Sequence, residues 1–183
     1  MPRINPIDPE TAQGKSRALL DGVTKSLGFA PNLMRTLAVS PAALDAYLVF
    51  GKALSGARLS AKVRERIAIA LSAANGCDYC ASAHTAIGRS LGLDGEELSR
   101  ALDGQSQEAE AQAALVFALA IAAKRGWVDD AEIAAARTAG LDDGAIAEIV
   151  ATVAHTTFSN YFNHVAGTEI DFPRVTTGRA QAA

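Results

Sequence analysis

The chain's six prolines stand at positions 2, 6, 9, 31, 41 and 173, so none falls between Ala42 and Phe172. Proline removes a backbone donor and breaks helix interiors, and its absence leaves that long field open to helix. Aromatic residues are only 5%, while alanine is abundant. That balance favours close-packed helices over sheets. The glycines inside the field sit mostly between periodic segments, where helices stop. No run of strict alternation marks a strand. The reading is an all-α protein of about eight helices, one domain over residues 1–183.

Local signals place the helices. The first is expected from Pro9-Glu10 to about Leu27, followed by a break at Gly28-Phe29-Ala30-Pro31-Asn32 and a short helix from Asn32. Ser40-Pro41 is a start signal, with Ser40 as N-cap. Leu44, Tyr47, Leu48, Gly51 and Leu54 then share a face. Leu59-Ser60 opens a helix whose core stripe is Val63, Ile67, Ala70, Leu71 and Ala74, and Asn75-Gly76 ends it. A helix from about Cys77 to Leu91 follows. Leu93-Asp94-Gly95-Glu96-Glu97-Leu98 and Val128-Asp129-Asp130-Ala131-Glu132-Ile133 both read as a capping box with a hydrophobic staple. An alanine-rich helix runs from about Ser106 to Lys124, and Leu141-Asp142 opens a last long helix to about Ala166. The tail from Ile170 reads as extended or loose.

Composition excludes several classes. Net charge is −3 without a basic stripe, so nothing marks a nucleic-acid surface. The longest apolar run, Ala113 to Ala123, is about half of the ~20 residues a membrane span needs. No apolar leader follows Met1-Pro2-Arg3, and the expectation is a cytoplasmic protein. In a reducing compartment a close cysteine pair favours catalysis, redox sensing or metal binding over a permanent staple.

Both cysteines lie in Cys77-Asp78-Tyr79-Cys80-Ala81-Ser82-Ala83-His84, with one of the three histidines. At the start of a helix two cysteines three apart can meet. His84, four residues after Cys80, lies one turn on along the same face. Unpaired amides in the first turn favour a thiolate, which places an activated thiol at Cys77. Zinc is an alternative, but Cys-x2-Cys plus His84 supplies three ligands and no second such pair exists. Glu65, Ile69 and Ser72 share a second face of their helix. From spacing alone Glu65 either turns toward His84, to orient and charge the imidazole, or is an exposed carboxylate paired with Arg64 or Arg66. His155 and His164 are nine apart, so one helix sends them to opposite faces. One of them reads as a satisfied core or interface histidine.

The spacing Glu65, Cys77, Cys80, His84 resembles the signature of the carboxymuconolactone decarboxylase/alkylhydroperoxidase D-like family. Gly28-Phe29-Ala30-Pro31-Asn32, Asn160-Tyr161-Phe162-Asn163-His164 and Thr168-Glu169-Ile170-Asp171-Phe172-Pro173 resemble its peroxidase-related branch. The resemblance implies an alkylhydroperoxidase D-like helical fold and a homo-oligomer (dimer, trimer or hexamer). It also implies an antioxidant peroxidase with a redox-active disulfide and no bound cofactor or metal. Carried over, Cys80 is the peroxidatic nucleophile, Cys77 the resolving thiol, and Glu65 with His84 the proton relay. Tyr79, Ser72, Asn160 and His164 are candidate substrate or relay contacts. One position departs: the family pattern often has a histidine where this chain has Tyr79, and a phenol is no base at neutral pH.

The implied function is thiol-dependent hydroperoxide reduction, or disulfide oxidoreduction, with a peroxide substrate and a dithiol or protein-thiol reductant. The alternatives are a redox-sensing or zinc-binding regulatory protein, and a lactone decarboxylase or lyase-type enzyme using His84 and Glu65.

Overall fold

The computed structural model describes residues 1–178, and among these the regular structure is helical throughout. In chain order the helices are α1 Gly14–Leu27, α2 Asn32–Leu37, α3 Pro41–Leu54, α4 Ala61–Asn75, α5 Asp78–Ser90, α6 Gly95–Leu102, α7 Ala109–Lys124, α8 Asp130–Thr138 and α9 Asp143–Ala166. Six of them start on side-chain caps, five of these on oxygen and α5 on the Cys77 sulfur. Ser40, Ser60, Asp94, Asp129 and Asp142 each accept the amide three residues on, closing one of the donors a helix start leaves free. Among the described residues nine helices stand where about eight were expected.

Helix α4 is the hub and packs against α5, α6, α7 and α9. Every residue from Arg66 to Ala73 is buried, so its covered surface is far wider than the predicted stripe. Ile67, Ile69 and Leu71 are fully enclosed, each worth roughly 1.5–3 kcal/mol of transfer free energy. One core joins α4, α7, α8 and α9 around Leu71, Leu115 and Ile149. A second joins α1, α2 and α3 to the start of α5 around Leu20, Leu37 and Leu44. Cys77, Tyr79 and Cys80 belong to that second core.

Two glycines set the placement of α5. Gly76 ends α4 with φ 70°, a left-handed turn that lets the chain reverse within two residues. At Gly88 a Cβ would come 2.9 Å from Leu98 Cδ2, so its absence lets α5 lie close on α6.

The structure departs from the sequence reading in three places. Helix α1 begins at Gly14, not at Pro9-Glu10. The Asp8 carbonyl takes the amides of Thr11 and Ala12 in an isolated turn, and Gly14 carries a left-handed backbone, φ 57°. Glu97 does not reach back to complete a capping box. Its carboxylate pairs with the buried Arg66 Nε at 2.7 Å and accepts from Ser106 and Gln107. The box at Asp129 and Glu132 forms as expected. Finally, the described part of the tail, 170–178, is tied down rather than loose, and 179–183 lie outside the described residues. Asp171 Oδ2 accepts the Asn32 amide at 2.7 Å, the Val175 amide bonds Ser82 Oγ at 2.9 Å, and Thr177 bonds Asp78 twice. Among the described residues no helix is long and apolar enough to cross a membrane.

Candidate active site

Cys77 caps α5, and its sulfur accepts the Cys80 amide at 3.3 Å. The reversal at Gly76 sets this up, with the Cys77 amide held by the Ser72 carbonyl at 2.8 Å. Both cysteines are free and buried, with sulfurs 2.8 Å apart. The Asn163 amide of α9 donates to Cys80 Sγ at 3.1 Å.

This arrangement divides the two thiols. Burial opposes ionisation of Cys80, but the Cys77 S–H, the neighbouring His84 and the Asn163 and Asn160 amides outweigh it and bring the thiol down to about 7. Cys77 is pushed far up, first because it spends its S–H on Cys80 and then by burial. These side-chain contacts therefore favour a thiolate at Cys80, although the first-turn argument pointed to Cys77.

Glu65 Oε2 lies 2.7 Å from His84 Nδ1, with both side chains less than one-fifth exposed. The surface reading of Glu65 is overturned, because both arginines are engaged elsewhere. Arg64 donates to the Leu59 carbonyl, and Arg66 holds Glu97 and Glu108. Burial lowers the His84 pKa, and the Glu65 carboxylate more than reverses that, so the imidazole is raised above its ordinary value. Glu65 fixes which ring nitrogen faces away and steadies the charged form.

The remaining predicted contacts separate. Tyr79 is buried against Phe172, and its hydroxyl accepts the Leu33 amide at 3.0 Å and faces Asp171. It ties α5 to α2 and the tail, and burial pushes its phenol well up. Ser72 and Asn160 are fully enclosed. Ser72 Oγ donates to Ala68 and accepts from Asn160, whose oxygen takes the Asn75 amide at 2.8 Å. They brace α4 on α9 and line neither of the cavities described next. His164 stands on the wall of one cavity.

Two cavities meet the cysteine pair. One, of about 340 Å³, reaches Cys80 and His84 and is walled by Phe29, Leu33, Met34, Ala86, Ile87 and Phe172. The other, of about 910 Å³, reaches Cys77 and is bordered by Arg3, Asp78, Asn163, His164, Thr168 and Glu169. Among the described residues no three His, Cys, Asp or Glu side chains are grouped to hold a metal ion.

Asn163, which the sequence offers with Asn160 and His164 as a second pocket wall or a subunit contact, does stand at Cys80 and on one cavity. Two neighbours fall outside the predicted site. Tyr47 stands near Cys80 and Glu65, and burial raises its phenol. His155 stacks on the Tyr47 ring at 4.4 Å, and its Nε2 meets the Tyr47 carbonyl at 3.2 Å. Burial lowers its pKa, which makes it the satisfied histidine of the pair with His164.

A profile of the carboxymuconolactone decarboxylase family matches residues 41–124, from α3 through the cysteine helix to α7. Over that segment the chain is similar to the carboxymuconolactone decarboxylase family. Solved members of this helical fold extend the likeness over nearly the whole chain. An alkylhydroperoxidase AhpD core, an uncharacterised peroxidase-related protein from Ralstonia eutropha JMP134, is 27% identical with TM-score 0.84, covering 93% of this chain and 92% of its own. A peroxidase-related protein from Silicibacter sp. TM1040 is 22% identical with TM-score 0.79, covering 91% and 92%. The debrominase Bmp8, solved with 2,3,4-tribromopyrrole, shares the fold at 22% identity and TM-score 0.77, covering 92% and 91%. Comparison with curated proteins gave no match.

Proposed function

We propose that this protein is a thiol-dependent hydroperoxide reductase. The observation that carries the reading is the stabilised sulfur of Cys80, held between Cys77 Sγ at 2.8 Å and the Asn163 amide at 3.1 Å, one turn before the His84–Glu65 pair. Cys80 thiolate attacks the terminal oxygen of a hydroperoxide. The S–O bond forms, the O–O bond breaks, and the alkoxide leaves as alcohol with a proton from His84. The Cys77 thiol, giving up its proton, then attacks the sulfenic sulfur, and the disulfide closes as water departs. A dithiol donor returns both thiols. The apolar cavity at Cys80 suits a peroxide with a hydrophobic body. The names of the peroxidase-related neighbours support the same class.

Stopped-flow oxidation of the reduced protein with cumene hydroperoxide tests it. Both thiols should disappear with formation of one equivalent of alcohol, and dithiothreitol should restore them. Thiols that stay free, or turnover that survives Cys80→Ser, would sink the reading. 2,3,4-Tribromopyrrole is the control substrate: faster thiol loss with it than with the hydroperoxide would move the assignment to carbon–halogen reduction.

We place the subunit contact of a homo-oligomer on α9, where Val150, Phe158, Tyr161 and Val165 form an exposed apolar stripe at helical spacing. Light scattering on wild type and Tyr161→Glu checks it. An unchanged mass in the variant would remove this stripe from the interface.

A further inference from the structure

Three buried polar atoms, Asn163 Oδ1, His164 Nε2 and Thr168 Oγ1, have no hydrogen-bond partner. All three residues line the 910 Å³ cavity that reaches Cys77. Buried polar groups are costly to leave unmatched, and three on one cavity mark a place that a polar guest completes. The cavity has an open rim at Gly167 and Glu169, both exposed. Its floor is stiff: the Arg3 and Ile4 amides hold the Ala166 carbonyl at 2.7 and 3.1 Å, and Thr177 is bonded to Asp78. Cys80 and His84 do not line it, and Cys77 does not line the apolar cavity. Each sulfur thus has its own approach.

We propose that the cavity at Cys77 is the docking site of the reductant, a dithiol with a polar chain, which enters by a different route from the hydroperoxide. This rests on the peroxidase reading above for the identity of the oxidant, but not for the disulfide chemistry. One thiolate of the dithiol attacks Cys77 Sγ. The new bond is Cys77 to reductant, the broken bond is Cys77–Cys80, and the electron pair leaves on Cys80. Cys80 is the better leaving sulfur, because a thiolate there is stabilised by His84 and the Asn163 amide. The reductant's second thiolate then attacks its own bound sulfur, closing its disulfide and releasing Cys77. Two electrons pass to the protein. The two protons shed by the dithiol end on Cys77 and on Cys80 or His84.

The experiment separates the half-reactions. Protein is oxidised to the Cys77–Cys80 disulfide with diamide, and its reduction by dithiothreitol is followed by stopped flow. The expected result for Thr168→Leu, which fills the cavity, is reduction at least about tenfold slower, recovered in Thr168→Ser. Its oxidation by cumene hydroperoxide in the reduced state should stay within about twofold of wild type. Ala86→Phe, on the apolar cavity, should slow oxidation instead. If Thr168→Leu slows both half-reactions, or neither, the separate docking site is wrong. A second measurement needs no variant. Oxidised wild type is attacked with glutathione in the presence of iodoacetamide and mapped by mass spectrometry. Glutathione on Cys77 with alkylated Cys80 is expected, and the reverse labelling overturns the proposal. Failure of the peroxidase reading shows differently, as reduced thiols inert to hydroperoxide while the diamide results stand.

Discussion

Glu65 and Arg66 are neighbours on α4, and both are largely withdrawn from solvent, yet they build different things. Glu65 turns to His84 of α5 and steadies the charged imidazole. Arg66, 1% exposed, turns to α6 and the start of α7, where Glu97 and Glu108 meet it at 2.7 and 2.6 Å. The first pair keeps an imidazole beside the Cys80 sulfur. The second holds a guanidinium between two carboxylates, and it pins the scaffold. One helix thus carries a reactive face and a structural face, and the difference lies in the partner: histidine can pass a proton on, guanidinium cannot.

The contrast breaks most sharply at the sulfur. Cys80→Ser should lower hydroperoxide reduction by about 1,000-fold or more while leaving the unfolding midpoint nearly unchanged. Alcohol production by the variant is the readout, and appreciable turnover would detach the chemistry from this face. On the other face Arg66→Ala should cost about 3–5 kcal/mol, because Glu97 is left buried without its charge partner. Urea unfolding measures it, and a loss under about 1 kcal/mol would mean that the pair is idle.

Between these lies Glu65→Gln, with a rate loss of about 100-fold and little change in stability. Its signature is the pH profile. The carboxylate raises the His84 pKa, so the alkaline limb should move to lower pH in the variant. A limb that does not move would make Glu65 a packing residue. The wild-type acid limb sharpens the same point. Cys80 is lowered to about 7, so thiolate accumulates as pH rises through 7 and is lost below it. The oxidation rate should be about tenfold lower at pH 6 than on its plateau, and a flat profile there contradicts the stabilised thiolate.

The smallest effect belongs to the second capping segment. Glu132→Ala should cost no more than about 1 kcal/mol, since it loses a capping bond and a partly exposed ion pair with Lys124, whereas Glu97→Ala should approach the Arg66 loss. Equal losses in thermal unfolding would show that the two acidic segments do the same work.

Those two segments also show where sequence reasoning stops. Both offer aspartate followed three residues later by glutamate, and local geometry allows the box in each. Glu132 meets only the partly exposed Lys124 ammonium, at 2.7 Å, and the same oxygen closes the box on the Asp129 amide. Glu97 lies against a buried cation brought from α4, and an unpaired buried charge costs more than an open capping bond. Tyr79 follows the same logic: its place between the cysteines admits a substrate contact, but the amide of Leu33 and the tail at Asp171 take its hydroxyl.

The amino-acid order by itself determined the all-helical class, the starts at Ser40, Ser60, Asp94, Asp129 and Asp142, and the grouping of Cys77, Cys80 and His84, because these depend on contacts within one or two turns. Only the tertiary structure decided that Glu65 meets His84 rather than an arginine, and that Asn163 arrives from 83 residues away to hold Cys80. It also decided which sulfur is better stabilised as a thiolate, and that each has its own cavity. Those outcomes depend on how α4, α5 and α9 converge, and burial, which sets the strength of every charge and hydrogen bond in the site, exists only once they have packed.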